Sequence, residues 1–382
     1  MTPPPAQPAA SAPTPATFPS RRERALLLAL TLIACLYWGL TGRSQVPDVF
    51  DSREYAWDAW HLLHDGVYSE VQRPGPVEPG IGREPGYPAV LAAILATVPG
   101  LGSVTAECLA RPEGCGYAAW RPALFFNGVF IGLAGLVLFH TMRLLDLGRL
   151  AAWLAALHIW LNGQAARGRE YLLSDHLAML LLALASLALV WAYRRGGWRW
   201  PLAGLVVAAL TLTKAVFLWL AIPALVIAAG ASLLLRRPRV LAAVALFAVA
   251  YAVPVGAWMA RSHAVAGVYA ISAGRTATAL STREVFDHMT PTQYAAAFVY
   301  WTRAMGDGLA RKYFPESAWR PFDLDNPQGF YAVGQYRTAP QIDALVEGRG
   351  LTRVAAEQIV ARDMTAAIFA HPVAYALSTL PD

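Results

Sequence analysis

The residues best suited to chemistry lie just after the first apolar stretch of the chain, around Asp51. Glu54 and Asp58 follow at positions i+3 and i+7, so the three carboxylates share one face if this segment is helical. Tyr55 comes four residues after Asp51, and Arg83 begins an Arg-Glu-Pro-Gly-Tyr-Pro segment further on. A carboxylate in such a place can act as a general base. The alternative for Asp51 is a helix N-cap at a helix beginning near residue 52, a role that suits Asp.

The composition predicts that these residues belong to an integral membrane protein. Of the 382 residues, 56% are hydrophobic and 15% are charged, and the mean hydropathy is +0.40. Several apolar stretches approach the roughly 20 residues that a helix needs to cross a bilayer. The net charge of +6 is concentrated in short clusters between these stretches. That pattern is typical of cytoplasmic loops, and it favours membrane topology over binding to nucleic acid.

The apolar stretches predict an all-α polytopic protein with about seven transmembrane helices. A further stretch, 87–101, is short and ends in Pro99 and Gly100, which is typical of a re-entrant or interfacial helix. If it does not cross the membrane, all four basic clusters fall on the cytoplasmic side. The N-terminus is then cytoplasmic and the C-terminus exoplasmic. The predicted spans are 25–42, 122–142, 150–165, 172–193, 201–215, 217–235 and 240–260.

These spans divide the chain into three parts. Residues 1–24 are a Pro- and Ala-rich cytoplasmic tail that we expect to be disordered. Residues 25–260 form the transmembrane module, whose first exoplasmic loop, 43–121, should contain juxtamembrane helices. Residues 261–382 contain no stretch long enough to span a membrane, and they should form a small, mostly helical exoplasmic segment.

Local signals predict helices within the C-terminal segment. Thr290-Pro291-Thr292-Gln293 has the pattern of a capping box with Pro at the first helical position, which predicts a helix over 291–305. Residues 281–284 offer a second, weaker start of the same kind. A loop over 315–335, rich in Pro, Gly, Asn and Asp, should precede a helix over 352–369.

The predicted topology places seven ionisable residues at the exoplasmic side. Ionisable residues in or at the edge of a membrane are functional candidates by default. Taken singly, each could be an interfacial anchor or a loop charge. As a set they indicate a site for an anionic ligand combined with carboxylate chemistry. The seven are Asp51, Arg83, Arg167, Arg169, Asp175, Lys214 and Arg261.

The cysteines and histidines allow fewer predictions. Cys108 and Cys115 flank a Pro- and Gly-containing turn in the first loop. An oxidising compartment would permit a disulfide between them, and two unpaired thiols are the alternative. His61 and His64 share a helical face but lack a third ligand, so they are a weak metal signal.

The Asp51, Tyr55 and Gly66 spacing, followed by the segment at 83–88, resembles the first outer loop of the GT-C superfamily. These are membrane glycosyltransferases that use polyprenyl-phosphate sugars. The residues from Tyr171 to Asp175 are similar to the family's Tyr-x-x-x-Asp at its second outer loop. Across roughly residues 25–275, the chain looks like the branch of protein O-mannosyltransferases and lipid A aminoarabinose transferases.

The resemblance implies roles for the residues that match these motifs. Asp51 would be the catalytic base, and Asp175, with Glu54 as a lesser acidic candidate, would position the acceptor or a metal. The substrate pocket would include the three tyrosines of the motifs, Tyr55, Tyr87 and Tyr171.

Two further motifs imply contacts to the phosphate of the lipid donor. Thr213-Lys214 looks like the Thr-Lys that closes the matching helix in the aminoarabinose transferases. Pro254 to Trp258, followed by Arg261, resembles the Pro-Trp…Arg that ends the span before the large outer loop. In the family, such outer cations contact the lipid phosphate, which implies that role for Arg261, Lys214 and Arg83.

The activity implied is transfer of a sugar from polyprenyl phosphate to an acceptor hydroxyl on the exoplasmic face, with inversion by single displacement. The acceptor would be a glycolipid, a protein or a glycan. Ser52 follows Asp51 where many relatives carry a second acid, so we expect no obligatory metal, although a divalent ion stays open. Relatives usually continue with more spans, so a truncated gene product and a minimal enzyme are both open, as is the oligomeric state.

Two other functions remain open beside the glycosyltransferase. A transporter or flippase for an anionic lipid or glycan would usually place charges near the membrane midplane and show repeated halves. An inactive scaffold with the GT-C fold is the second. The Arg- and Ala-rich composition suggests a bacterium of high GC content, whose inner membrane would place the site in the periplasm.

Overall fold

The computed structural model describes residues 20–41, 50–111, 114–163, 168–302, 305–324 and 326–381, and throughout these ranges the regular structure is helical, without a β-strand. The predicted tail, up to residue 19, lies outside them. Two short 3₁₀ helices, Ala215–Phe217 and Arg320–Phe322, accompany the α-helices. In chain order these are α1 (Arg21–Leu40), α2 (Phe50–His64), α3 (Gly86–Thr97), α4 (Ala106–Leu109), α5 (Gly116–Leu144), α6 (Arg149–Leu161), α7 (Asp175–Arg195), α8 (Arg199–Thr213), α9 (Leu218–Leu234), α10 (Pro238–Ala266), α11 (Thr276–Phe286), α12 (Pro291–Tyr300), α13 (Gly306–Tyr313), α14 (Glu316–Trp319), α15 (Phe330–Tyr336), α16 (Thr338–Arg349), α17 (Arg353–Ala370) and α18 (Pro372–Ser378).

Five helical segments of the described chain are long and apolar enough to cross a membrane, and each coincides with one of the seven predicted spans. The other two predictions, 150–165 and 201–215, fall on α6 and α8, which have 13 and 15 residues. Both are shorter than the roughly 20 residues of a usual span, so a count of seven stays a prediction. The five segments are Arg21–Leu40, Ala118–Leu144, Asp175–Arg195, Ala215–Leu234 and Pro238–Ala266.

The surface of α9 explains why these helices need a lipid environment. Trp219, Ile227 and Leu234 are 74%, 70% and 86% exposed, and only Ser232 of the whole helix is buried. Soluble proteins rarely expose a continuous apolar surface of this size. Lipid tails can cover it without cost, because the side chains and the tails are equally apolar.

Contact clustering divides the chain into two compact units. The first combines the described residues of Met1–Gln45, Trp120–Thr211 and Phe217–Ala252. The second combines those of Val46–Ala119, Leu212–Val216 and Val253–Asp382. The second unit therefore joins the predicted first loop to the C-terminal segment, although the transmembrane helices separate them in sequence.

The first unit is held together by close helix packing. Its core gathers Leu27 of α1, Phe139 of α5 and Trp160 of α6. A Cβ atom on Gly128 would lie 2.6 Å from the carbonyl oxygen of Cys35, so α5 can approach α1 only with Gly at that position. The Trp38 indole donates a hydrogen bond to the Trp160 carbonyl at 2.8 Å.

The helices of the second unit follow the sequence signals only in part. The capping box at α12 is confirmed, because Thr290 and Gln293 each bond the other's backbone N–H, and α17 matches the predicted helix over 352–369. The helix start at 281–284 is wrong, since these residues lie inside α11, where Ser281 accepts a 2.6 Å hydrogen bond from Arg337. The loop at 315–335 is also wrong in part, because it contains α14, a 3₁₀ turn and most of α15.

Candidate functional site

The amino end of α2 carries the carboxylates that the sequence singled out. The helix begins at Phe50, so Asp51 lies within its first turn, and it is not an N-cap ahead of residue 52. Glu54 follows three residues later and therefore lies on the same face. Trp57, which has no exposed surface, anchors α2 in the unit's interior.

Arg83 and Arg275 bring two guanidinium groups to these two carboxylates. Arg83 Nη2 lies 2.5 Å from Asp51 Oδ1, and Arg83 Nε donates to Glu54 Oε2. Arg275 Nη2 lies 2.8 Å from Glu54 Oε2, and both of its terminal nitrogens lie 3.3 Å from Asp51 Oδ1. The four side chains form a closed cluster with no net charge, which we call the ion cluster.

The segment before α11 positions Arg275. The Ala273 N–H donates a 2.8 Å hydrogen bond to the Ile81 carbonyl, two residues before Arg83. The buried carboxylate of Glu357 accepts from the N–H groups of Gly274 and Ala277, at 3.3 and 3.0 Å. A carboxylate in that place satisfies the free N–H groups at the start of α11. Both interactions fix the backbone on either side of Arg275.

The two arginines differ in their exposure to solvent. The Arg83 side chain is 5% exposed and the Arg275 side chain is 46% exposed. The Arg83 guanidinium lies 4.8 Å from the centre of the Tyr55 ring, and Tyr55 packs edge-on against Tyr87 at 5.0 Å. Both tyrosines are 3% exposed, so they lie behind Arg83. Arg275 is therefore the cation of the cluster that an anionic ligand can reach.

Asp51 is a carboxylate held in its ionised form. Burial alone would raise the pKa of Asp51, but the hydrogen bond and charge of Arg83, with those of Arg275, outweigh it and lower the pKa below its ordinary value. Among the described residues, Asp51 makes its contacts through Oδ1, and its side chain is 39% exposed. Oδ2 is therefore the oxygen that can accept a proton from an incoming molecule.

The contacts that lower the pKa of Asp51 have the opposite effect on the pKa of Arg83. Burial would lower the pKa of Arg83, but the hydrogen bond to Asp51 and the charge of Glu54 raise it above its ordinary value. Arg83 thus stays charged at any pH at which the protein is folded. It is the fixed cation of the site.

Arg261 fastens the loop between α2 and α3. Its guanidinium donates to the Gly80 carbonyl, and to the Tyr68 carbonyl at 3.1 Å. It also lies 4.8 Å from the centre of the Trp258 ring. Through these contacts, Arg261 supports the loop that leads to Arg83. Its contact with a lipid phosphate stays a prediction.

Lys214 lies in a short segment that touches the start of α3. The Ala215 N–H donates a 3.3 Å hydrogen bond to Glu84 Oε1. A Cβ atom on Gly86 would lie 2.9 Å from both the Leu212 carbonyl oxygen and the Thr213 nitrogen. The Arg83–Pro88 segment and Thr213-Lys214, far apart in sequence, are therefore neighbours in the second unit.

We expect Gly86→Ala to destabilise the second unit. The added methyl would overlap the backbone at Leu212 and Thr213, and overpacking of this kind typically costs about 1–3 kcal/mol. A lower midpoint of thermal unfolding in detergent would be the result. Gly102→Ala is the matched control, because a Cβ atom there would meet nothing within 4 Å. Equal midpoints for the two variants would contradict this account of the contact.

The second predicted acidic residue belongs to the first unit. Asp175 is the exposed first residue of α7. The segment just before Asp175 is held by α5: the Asn127 side chain donates hydrogen bonds to the carbonyls of Arg169 and Tyr171, at 2.8 and 3.0 Å. Arg167 lies outside the described residues. The structure thus gathers Asp51, Glu54 and Arg83 into one cluster, with Lys214 and Arg261 in the same unit.

Other features of the second unit bear on its environment. Cys108 and Cys115 are joined by a disulfide bond. Within the described ranges, no group of three or more His, Cys, Asp or Glu side chains is arranged to hold a metal ion.

Comparisons of this chain with protein-family models, with curated proteins and with solved structures found no match.

Proposed function

We propose that this chain is a membrane glycosyltransferase that moves a sugar from a polyprenyl-phosphate donor to an acceptor hydroxyl. One observation carries the proposal: an ionised carboxylate, whose side chain is 39% exposed, lies beside a guanidinium group whose side chain is 46% exposed. A transfer of this kind needs a base for the hydroxyl and a cation for the departing phosphate. Both are present within one compact unit.

Asp51 would act as the base. Its Oδ2 accepts the proton of the acceptor hydroxyl as the hydroxyl oxygen attacks the anomeric carbon. The bond from that carbon to the phosphate oxygen breaks, and polyprenyl phosphate leaves with the bonding electrons. Attack opposite to the leaving group inverts the anomeric configuration. Because phosphate leaves readily as an anion, no general acid is required.

Arg275 would neutralise the charge that grows on the phosphate. It is better placed for this than Arg83, whose side chain is 5% exposed and engaged with two carboxylates. When Arg275 turns from Asp51 to the donor phosphate, Asp51 loses one of the two charges that lower its pKa. The carboxylate then becomes a stronger base when the donor is bound. Lys214 and Arg261 remain secondary proposals for the phosphate.

The acceptor would approach from the side of α15. Burial, followed by the charge of Asp51, raises the pKa of Tyr331, so this ring lies within electrostatic reach of the base. Its hydroxyl is 2.6 Å from Gln335 Nε2, and 42% of the residue is exposed. A partly exposed aromatic ring with an adjacent amide suits a sugar or another hydroxylated acceptor. Asp175, in the first unit, stays a proposal for acceptor positioning.

The membrane arrangement that fits this activity has seven spans, a cytoplasmic N-terminus and the site on the periplasmic face of a bacterial inner membrane. The Cys108–Cys115 disulfide supports an oxidising compartment for the first loop. Charge placement favours the enzyme over a transporter, since the ion cluster lies in the unit that combines the first loop and the C-terminal segment. Transporters usually place such charges at the membrane midplane.

Lipid mass spectrometry on cells that lack the gene tests the proposal. A polyprenyl-phosphate sugar should accumulate in the deletion strain and return to its normal level when the wild-type gene is restored. The mass of the accumulated lipid would identify the sugar. Identical lipid profiles in the two strains would favour the transporter or the inactive scaffold.

A further inference from the structure

Asp58 is a carboxyl group that the proposed reaction does not use, and it is completely buried one turn after Glu54. It has no exposed surface. Its Oδ1 atom has no hydrogen-bond partner, and Asp58 takes part in none of the ion pairs among the described residues. Both Arg83 and Arg275 form their ion pairs with Asp51 and Glu54. An ionised carboxylate so placed would be very costly.

The hydroxyl of Tyr68 lies between Asp58 and the backbone of Arg83. Tyr68 Oη is 2.8 Å from the Arg83 carbonyl oxygen and 3.3 Å from Asp58 Oδ2. A phenol carries one proton, so it can donate to only one of these two oxygens. The carbonyl, at the shorter distance, can only accept. The contact to Asp58 is then a hydrogen bond only if the carboxyl group supplies the proton.

We propose that Asp58 is a neutral carboxylic acid in the folded protein and that, through Tyr68, it positions Arg83 within the ion cluster. The acid donates to the Tyr68 hydroxyl, and that hydroxyl donates to the Arg83 carbonyl. The backbone of Arg83 is thereby fixed, and its guanidinium faces Asp51 and Glu54. Asp58 is a positioning residue, and its effect on sugar transfer rests on the proposed function.

The surrounding charges favour the neutral form. On α2, Glu54 is negative; on the loop that follows, Glu70 adds a second negative charge and Arg83 a positive one. From α10, the Arg261 guanidinium lies 5.5 Å from the centre of the Tyr68 ring. Burial, followed by the charges of Glu70 and Glu54, raises the pKa of Asp58 well above its ordinary value, against the opposing effects of Arg83 and Tyr68.

The neutral state predicts how stability depends on pH. A carboxyl group whose pKa is raised on folding stabilises the protein fully only below its unfolded pKa of about 4, and that contribution is lost as pH rises towards the folded pKa. Asp51, whose pKa is lowered, contributes no slope above pH about 5. The temperature at the midpoint of thermal unfolding should therefore decrease as the pH is raised from 5 to 8. Ionisation of Asp58 should cause part of that decrease.

Asp58→Asn in the full-length protein tests this directly. The amide Nδ2 can donate to Tyr68 as the acid does, without a carboxyl group to ionise. We expect a higher unfolding midpoint at pH 7 and a smaller decrease of the midpoint between pH 5 and 8. Asp363→Asn, the same change at an exposed position of α17 in the second unit, should leave that decrease as it is in the wild type. In infrared spectra, the carbonyl band of a protonated carboxylic acid should be present in the wild type and absent from Asp58→Asn. An unchanged slope and an unchanged infrared band would overturn the neutral state.

A double-mutant cycle tests the positioning step without any assay of activity. Asp58→Ala and Tyr68→Phe each break the connection to Arg83, so the double variant should lower the unfolding midpoint no more than the larger single change. Additive shifts would show that the two residues act separately and would overturn the positioning role. If sugar transfer is observed, Asp58→Asn should retain it and Asp58→Ala should not. If transfer is absent from the wild type, the proposed function fails while the cycle and the infrared band still decide the state of Asp58.

Discussion

Asp51→Asn is expected to lower the rate of sugar transfer by about 10²–10⁴-fold, the usual contribution of a general base. The amide keeps the size of the side chain but cannot accept the acceptor's proton. The substitution also removes one charge from the ion cluster. Because the Asp51 side chain is 39% exposed, the effect of that loss on folding should be small. Transfer can be measured with purified protein and the donor lipid identified in the deletion strain. In cells, the variant should leave the donor lipid accumulated.

Glu54→Gln is the matched control for this variant. It removes the same charge from the same two arginines, on the same face of α2. Because all the contacts of Asp51 use Oδ1 and those of Glu54 use Oε2, the two carboxylates are alike in pairing and differ in exposure. We expect a loss in rate at least tenfold smaller than for Asp51→Asn. Equal losses would mean that the cluster acts as a whole and that Asp51 is not the base.

The local parts of this site could be predicted from the sequence. Asp51 and Glu54 share a face because a helix turns every 3.6 residues, so a pair of carboxylates at this end of α2 could be expected from the sequence alone. The five longest apolar helices could also be located, since length and composition alone determine whether a helix can cross a bilayer. Each of these inferences rests on residues close in sequence.

Arg275 could not be predicted in the same way. It is 224 residues from Asp51, and it reaches the cluster through the Ala273–Ile81 hydrogen bond and the Glu357 carboxylate. No periodicity or motif marks such long-range pairing. The same limit explains the helix start wrongly placed at 281–284, because the contact of Ser281 with Arg337 is a tertiary interaction that overrides a local capping signal. Residues 316–322 and 330–336 form short helices for a related reason, since Phe322 and Phe330 pack against Phe286 in one core.

Arg83→Met should destabilise the second unit by about 2–4 kcal/mol. Breaking a buried ion pair from one side costs about 3–5 kcal/mol, because it leaves the partner charges uncompensated. The partial exposure of Asp51 and Glu54, at 39% and 24%, lowers that figure here. Arg275, still in place, would compensate only one of the two carboxylates. The expected result is a clearly lower midpoint of thermal unfolding, in detergent at neutral pH.

Arg275→Met removes the same type of side chain from the same two carboxylates, but from the exposed side of the cluster. Ion pairs open to solvent contribute about 0–1 kcal/mol, so the unfolding midpoint should change little. Sugar transfer should nevertheless fall by at least tenfold, because the donor phosphate loses the cation that neutralises it. The two substitutions should thus have different effects: Arg83→Met should lower stability, and Arg275→Met should lower transfer in a protein that remains folded. If Arg275→Met were as unstable as Arg83→Met, or transferred sugar at the wild-type rate, its role as the ligand-facing cation would be lost.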